Sequence, residues 1–533
     1  MFDITRRQLM TYGAAVAGTA MLTSRGWSEP QRGGTLVIAE TPEPVLLTSA
    51  LVSSRSTNNI SPKIFDGLAA YDLDTLQPTP QLAESWETSA DGKAITFHLR
   101  PGVKWHDGTP FTSADVDFTI REILLKYHSR GQQIFGAVEE IETPDEQTVV
   151  LKLSAPAPFL LYGLSSWITA IMPKHVYEGT DILTNPANTA PIGTGPFKFT
   201  QWERGVYLRL ERNEEYWDQP KPYVDQVIYR FLPDASSRVA ALEAEDVLVV
   251  AESQVPGSDL ERLKSIPYLE IDTSGYAMTA ATQFFQFNLD KPLFQDIRVR
   301  RAIAHAIDRD FIVRNIWYGF GNALNTPVSP VLKTFHNPDI KGYEFSIEKA
   351  EALLDEAGHP RGADGTRFSI IHDAAQNGEQ YPRTAEYIRD ALGKVGIRVE
   401  VRISDFASFT KRVYTDRDFD TSNYFTSCGP DPVIGVQRVY WSKAFVPGVS
   451  YSNGSHYENP EMDRVLEAAQ IETDPEKRRG LYDDFQRIAM EDIPEIPLVG
   501  IEQVTVLNRR LKNFVYLADG VKANFADAYI EPA

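Results

Sequence analysis

Single hydrophobic cores stop growing at roughly 250–300 residues, so a chain of 533 residues, 42% of them hydrophobic, has to divide its interior between at least two lobes. Charged residues make up 24% of the chain, and 34 glycines and 34 prolines are an ordinary globular share, so no long disordered tract is expected. The longest apolar stretch beyond the N-terminus, Phe159 to Met172, is short and carries Ser165, Ser166 and Thr169. A helix needs about 18 apolar residues to cross a bilayer, so no such span is expected.

The first thirty residues carry an address. Thr5-Arg6-Arg7-Gln8-Leu9-Met10 sets two adjacent arginines before a mildly apolar, Ala- and Gly-rich stretch from Tyr12 to Leu22. A basic start followed by an apolar region too short to span reads as an export signal, and Arg6 with Arg7 resembles a twin-arginine (Tat) signal. Residues 1–30 are therefore set apart from the fold. Cys428 is the only cysteine, so no internal disulfide is possible and no cysteine stands near the signal to carry a lipid. An exported chain with neither lipid nor span is expected in the periplasm, as a soluble monomer. Acidic residues outnumber basic ones by 73 to 53, and the net charge of −20 repels phosphate backbones, which sets nucleic acid aside as a partner.

Hydrophobic rhythm sorts the remainder into elements. Thr35 to Ala39 is a short apolar strand, and Ile95 to Leu99 and Val149, Leu151 and Leu153 alternate at strand period. Thr112 or Ser113 caps a helix whose stripe runs Val116, Ile120, Ile123 and Leu124, with Asp115 placed as in a capping box. Later come helical stripes at Val299–Ala306, Ala350–Ala357, Ala385–Leu392 and Met462–Ala469, and Asp474 caps a further helix that has Pro475 at its first position. The Ala385–Leu392 stripe feeds directly into Ile397, Val399, Val401 and Ile403 at strand period, half of a βαβ unit. The chain is strand-rich early and alternates helix and strand later, which predicts a mixed α/β protein.

Marked chemistry is absent from the sequence. There is no phosphate-binding loop, no nucleophile elbow and no paired zinc histidines. The nine histidines are scattered, with no two at a helical spacing that aims both at one metal, and His106-Asp107 reads as part of a turn. Glu139-Glu140 and Asp483-Asp484 read as solvated helix faces. No cofactor is expected, and the chain is not read as an enzyme.

One stretch is far more specific than rhythm. From Ile64 to Ile120 the chain reads IFDGLAAYDLDTLQPTPQLAESWETSADGKAITFHLRPGVKWHDGTPFTSADVDFTI. With PIGTGPFKF from Pro191, RNEEYWDQPKPYVDQVIYRF from Arg212, VRRAIAHAIDR from Val299 and NPEMDRVLEAA from Asn459, it resembles the bacterial extracellular solute-binding proteins of the peptide, nickel and opine type. The resemblance runs from about Gly33 to the C-terminus. It implies a two-lobed periplasmic binding protein of the clamshell type (type II), with a first lobe over 31–285, an inserted subdomain at about 75–190, a second α/β lobe over 286–499 and a return to the first lobe over 500–533. It also implies that a small solute, a peptide or a peptide-like compound such as an opine, is captured between the lobes and handed to the permease of an ABC importer. Two other readings are an exported cofactor-bearing enzyme and a solute-loaded partner of a sensor. Within the family, oligosaccharides and chelated metals are further cargo classes.

Two departures from the family pattern concern geometry and site. The family's S-G-E-V-D-like turn corresponds here to Ala244-Glu245-Asp246-Val247-Leu248, without the glycine. Peptide binders of the family tend to carry a Gly-Trp pair before an Asp-Pro whose aspartate meets the peptide ammonium; this chain has Tyr424-Phe-Thr-Ser-Cys428-Gly-Pro-Asp431-Pro, with the tryptophan missing. The resemblance thus makes Asp431 the candidate ammonium acceptor and sets Cys428 beside it in an unusual Cys-Gly-Pro run. Tyr424 and Trp441 are candidate flat walls, Arg55 a candidate carboxylate clamp, and Asn453 a polar candidate in a Ser-Asn-Gly-Ser turn.

Overall fold

The computed structural model describes residues 30–376 and 378–532. Arg6 and Arg7 lie outside the described residues. Three sheets organise the chain. The first has seven strands in the order Leu269–Asp272, Thr505–Asn508, Val249–Val250, Thr35–Glu40, Gln226–Phe231, Tyr207–Arg212 and Phe197–Glu203. Its central strand pairs in parallel on both sides, Thr35 against Gln226 and Ile38 against Val249. An antiparallel four-stranded sheet, Ala83–Thr88, Ala94–Leu99, Thr148–Leu153 and Val138–Asp145, is inserted in sequence between strands of the first. The strands Ala94–Leu99 and Thr148–Leu153 bury alternate residues, which is why their period was readable. Glu139 and Glu140 are exposed on the strand Val138–Asp145, not on a helix as expected; Ile141 is the residue of that segment turned inward.

The third sheet has six strands in the order Gly321–Ala323, Glu495–Ile501, Ala281–Phe287, Thr421–Ser427, Phe368–Ala375 and Ile397–Ser404. Phe368–Ala375 and Ile397–Ser404 run parallel, joined by the helix Gln380–Lys394, which completes the βαβ unit half-visible in the sequence. The chain crosses between the first and third sheets twice, from Asp272 to Ala281 and from Ile501 to Thr505. The boundaries expected at 285/286 and 499/500 therefore fall inside strands that belong wholly to the third sheet.

Two local features escaped the sequence. The polar stretch near Thr48–Ser61 folds into the helix Arg55–Ile64, buried along nearly its whole length. Distant partners meet several of its polar groups: Asn59 donates to Glu40 and Glu252 at 2.9 Å, and Lys63 donates to the Val521 carbonyl at 2.6 Å, while Ser56 Oγ and the side-chain oxygens of Asn58 and Asn59 have no partner among the described residues. In the turn that lacks the family's glycine, Glu245 itself takes the left-handed conformation, φ 57°, and its carboxylate accepts from Asn508 at 2.9 Å. That backbone costs a non-glycine residue roughly 1–2 kcal/mol.

The family-like segments are scaffold. Trp105 is buried, and its turn closes with Gly108 N–H donating to the Trp105 carbonyl at 2.8 Å. His106 holds the PIGTGP segment: Gly193 N–H donates to Nδ1 at 3.2 Å, leaving Nε2 to donate to the Gly195 carbonyl at 3.0 Å. Burial brings the His106 imidazole down to about 4, so it stays neutral in this role. Asp107 pairs with His175 at 2.8 Å, not with its neighbour His106. Asp115 reaches back to accept from Thr112 N–H at 2.9 Å, the capping half that its spacing predicts.

Candidate functional site

A cavity of about 350 Å³ opens where the first and third sheets face each other near the two crossings. From the first side come Thr41, Arg55, Glu252 and Gln254; from the second come Trp317, Tyr381 and Phe425. The aromatic wall is fixed by ring packing, with Trp317 edge-on to Tyr381 at a centroid distance of 5.9 Å and Phe425 tilted against Tyr381 at 6.0 Å. Trp317 Nε1 is held by the Gln283 side-chain oxygen at 3.0 Å. One side of the cavity thus carries a flat aromatic wall, with Glu379 and Gln380 beside it, and the other is charged.

The charged side is a buried network. Glu252 lies 3.7 Å from Arg55 and 3.3 Å from Lys522 and accepts from Asn59. Burial pushes its carboxyl up, but Lys522, Arg55 and Asn59 outweigh this and hold it below the usual carboxylate range. Glu40 accepts from the same Asn59 and from Gln254 at 3.0 Å, yet burial, with the Glu252 charge beside it, pushes it up to about 7. Glu252 and Ser253 both take left-handed backbone, φ 54° and 55°, and Ser253 exchanges two bonds with Val504 at the second crossing. Such strain in consecutive non-glycine residues costs about 1–3 kcal/mol each and gathers at ligand clamps.

Of the six side chains picked from the sequence, Arg55 is the one that lines this cavity. Tyr424 is buried, its hydroxyl donating to Glu495 at 2.6 Å and its ring stacked 6.1 Å from Phe284. The choice missed by one residue. Neighbours on a strand face opposite ways, and Phe425, not Tyr424, stands on the cavity face of Thr421–Ser427. Cys428 is buried with its thiol donating to the Pro327 carbonyl at 3.3 Å, and burial raises it to about 11. Asp431 is fully buried, and both of its oxygens are taken by Arg478 at 2.5 and 2.9 Å, so it does not present a free carboxylate to the cavity. Trp441 donates to Glu467 at 3.0 Å, and Asn453 ties its own turn by exchanging bonds with the Tyr457 backbone. No signal in a single sequence marks Trp317, Tyr381 or Glu252, because they come together from three separate segments.

The two sides also touch away from the cavity. Val433 and Ile434, carried beyond the third-sheet strand Thr421–Ser427, are buried in the core of the first lobe. Gln133 donates to the Val433 carbonyl at 2.5 Å. The loop bearing them is drawn so tight that a Cβ on Gly435 would sit 1.7 Å from the Cys428 carbonyl oxygen, which only glycine permits. Among the described residues no group of three or more His, Cys, Asp or Glu could hold a metal ion, and no helix is long and apolar enough to cross a membrane.

Residues 77–442, more than half of the chain, match the model of the bacterial extracellular solute-binding proteins, family 5. The chain belongs to that family. Oligopeptide-binding protein AppA of Bacillus subtilis is 29% identical over 483 residues, covering 87% of this chain and 86% of its own. The binding protein AgaA from A. tumefaciens R10, solved with agropinic acid, superposes with a TM-score of 0.77 at 29% identity, covering 94% of this chain and 99% of its own. DppA of Helicobacter pylori, solved with the peptide STSA, superposes with a TM-score of 0.79 at 27% identity, again covering 94% and 99%. This family-5 protein is therefore a two-lobed α/β solute-binding component of an ABC importer, and its work is capture and delivery, not catalysis.

Proposed function

We propose that this chain is a monomeric periplasmic receptor, exported by the twin-arginine route through Arg6 and Arg7 without a lipid anchor, that captures a peptide-like organic solute such as an opine. The observation that carries the reading is the cavity, with the Arg55–Glu252 pair on one side and Trp317, Tyr381 and Phe425 on the other. Such a site encloses a small solute that has both a flat or aliphatic body and charged ends. Closure is favoured because the solute touches both sides only when they meet. Relatives solved with a tetrapeptide and with agropinic acid support the same solute class. Arg55 remains the candidate clamp for a solute carboxylate, since its pairing with Glu252 at 3.7 Å is loose enough to share.

A thermal-shift screen of the mature protein against di- and tripeptides, opines, oligosaccharides and nickel tests this. A solute at 100 times its Kd adds about 2.7 kcal/mol, which is a readily visible shift. A response confined to peptides or opines is expected; a response confined to sugars or nickel overturns the cargo class. Arg6→Lys with Arg7→Lys should leave precursor in the cytoplasm, and normal export of that double variant would remove the twin-arginine route.

A further inference from the structure

Two buried carboxylates share one amide donor beside the crossings between the lobes. Asn59 Nδ2 donates at 2.9 Å both to Glu40 and to Glu252. Glu252 lines the cavity, and Glu40 is tied to the same wall through Gln254, which donates to it at 3.0 Å. Glu252 is also held to both crossings. Its N–H donates to the Tyr276 hydroxyl at 2.9 Å, and that hydroxyl lies 2.5 Å from Thr505 Oγ1. Lys522, 3.3 Å from the Glu252 carboxylate, donates to Thr279 Oγ1 at 3.2 Å. Tyr276 and Thr279 lie on the first crossing, and Thr505 ends the second. The acid pair thus belongs to the cavity wall and to the pivot at once.

We propose that the Glu40–Glu252 pair takes up a proton when the protein captures its solute, so that proton and solute bind together. The proposal rests on the receptor reading and adds a regulation of that same site, an affinity that falls as pH rises. Two carboxylates on one donor repel when both are ionised, and their titration belongs to the pair. Burial, with the Glu252 charge beside it, already pushes Glu40 up to about 7. The cations that face the pair are Arg55 and Lys63 from the helix Arg55–Ile64, Arg238 from the helix Ala235–Glu243, and Lys522. Lys63 is spent on the Val521 carbonyl, and Arg238 on the carbonyls of Gln254 and Leu232 at 2.7 Å. Against the anions stand the Tyr229 and Tyr276 hydroxyls, and Asp519, which draws on Lys63 and Lys522 as well. Arg55 is the cation of this group that is open to the cavity, its side chain 38% exposed. A solute that fills the cavity replaces water around Arg55 and Glu252, and the less polar surroundings make the second negative charge of the pair costlier. The pair sheds that charge by accepting one proton from the solvent, which makes an O–H on one carboxylate and breaks no bond within the protein. Below about pH 7 the pair holds this proton before capture, so affinity is flat; above it, capture draws the proton in, and Kd rises by up to about tenfold per pH unit.

Calorimetric titration of the mature protein with trialanine, N-acetyl-trialanine and agropinic acid tests the coupling. Near pH 7.5, phosphate and Tris buffers differ in ionisation enthalpy, so the difference in observed heat counts the protons taken up. About half a proton per solute is expected there, and Kd should rise at least about threefold between pH 6.5 and 8.5. Glu40→Gln fixes a neutral side chain and should remove both effects. Protons that belong to the solute itself appear equally in parent and variant, so the difference between the two is what is read. Glu252→Gln, which removes the like charge, should remove the same difference and serves if the first variant does not fold. A purely structural Glu40 would lower the melting temperature of Glu40→Gln and leave the proton count at the parent's value. That result, or a parent that binds N-acetyl-trialanine with no proton uptake and an unchanging Kd, overturns the coupling and leaves the receptor standing. Silence of the entire panel overturns both.

Discussion

Arg478 donates from Nη1 and Nη2 to the two carboxylate oxygens of Asp431, at 2.5 and 2.9 Å, in a site from which both side chains are almost wholly withdrawn from water. Arg478 Nε is satisfied by the Ala469 carbonyl at 2.8 Å, and Asp431 also accepts from Val433 N–H at 3.0 Å. Burial works against the Arg478 charge and the Asp431 carboxylate overrides it, which raises the guanidinium above its usual range. The pair therefore anchors the helix Pro475–Asp492 to the loop that carries Val433 and Ile434 into the first lobe.

Asp431→Ala should strand that guanidinium in the interior. Breaking a buried pair from one side costs about 3–5 kcal/mol. Urea unfolding of the solute-free protein is expected to show a loss of that order, with solute binding retained in whatever fraction stays folded. Unchanged stability with abolished binding would instead restore Asp431 to the ammonium-binding role that its sequence context suggests.

Ile434→Ala removes an aliphatic side chain that the second lobe buries in the first-lobe core, where it is 0% exposed. A truncation of this kind costs at least about 2 kcal/mol in a packed site, which corresponds to roughly 30-fold in Kd if the contact forms on closure. Solute affinity is expected to fall by that factor, with the loss appearing in the dissociation rate. An unaltered Kd alongside lowered solute-free stability would mean that the contact persists when the cleft is open.

Glu495 accepts from Tyr424, Gln286 and Ser455, all of which favour its anion, but burial dominates and pushes it up to about 7. Between the ordinary value of 4.5 and about 7, the folded protein keeps a proton that the unfolded chain has released. Its stabilising effect is therefore complete below the unfolded value and is lost as pH rises through the folded one. Glu495→Gln fixes the neutral form, so the stability of the variant relative to the parent should increase between pH 5 and 8, by about 3 kcal/mol at most. Chemical denaturation at several pH values checks this; a difference that stays flat across that range would place the Glu495 carboxyl near its ordinary value.

Local rhythm and family-like segments were sufficient for the architecture. The strands Ala94–Leu99 and Thr148–Leu153 announce themselves by alternation, the helix Pro475–Asp492 by Asp474 and Pro475, and the βαβ unit by the step from period 3.6 to period 2 at Ile397. These signals are local, so one sequence is enough to carry them. The helix Arg55–Ile64 was hidden because the groups that meet its Asn59 and Lys63, namely Glu40, Glu252 and the Val521 carbonyl, are distant in the chain.

The site was decided by tertiary structure for the same reason. Asp431 has the right neighbours in sequence for a ligand contact, and only the fold brings Arg478, 47 residues further on, against it. Tyr424 and Phe425 are equally plausible walls until sheet register decides which of them faces the cavity. The sequence by itself determined the class of fold, the family and the absence of marked catalytic chemistry, because those rest on local periodicity and contiguous motifs. Which side chains line the cavity was settled by pairings between distant segments, whose energies depend on burial and register that no single segment encodes.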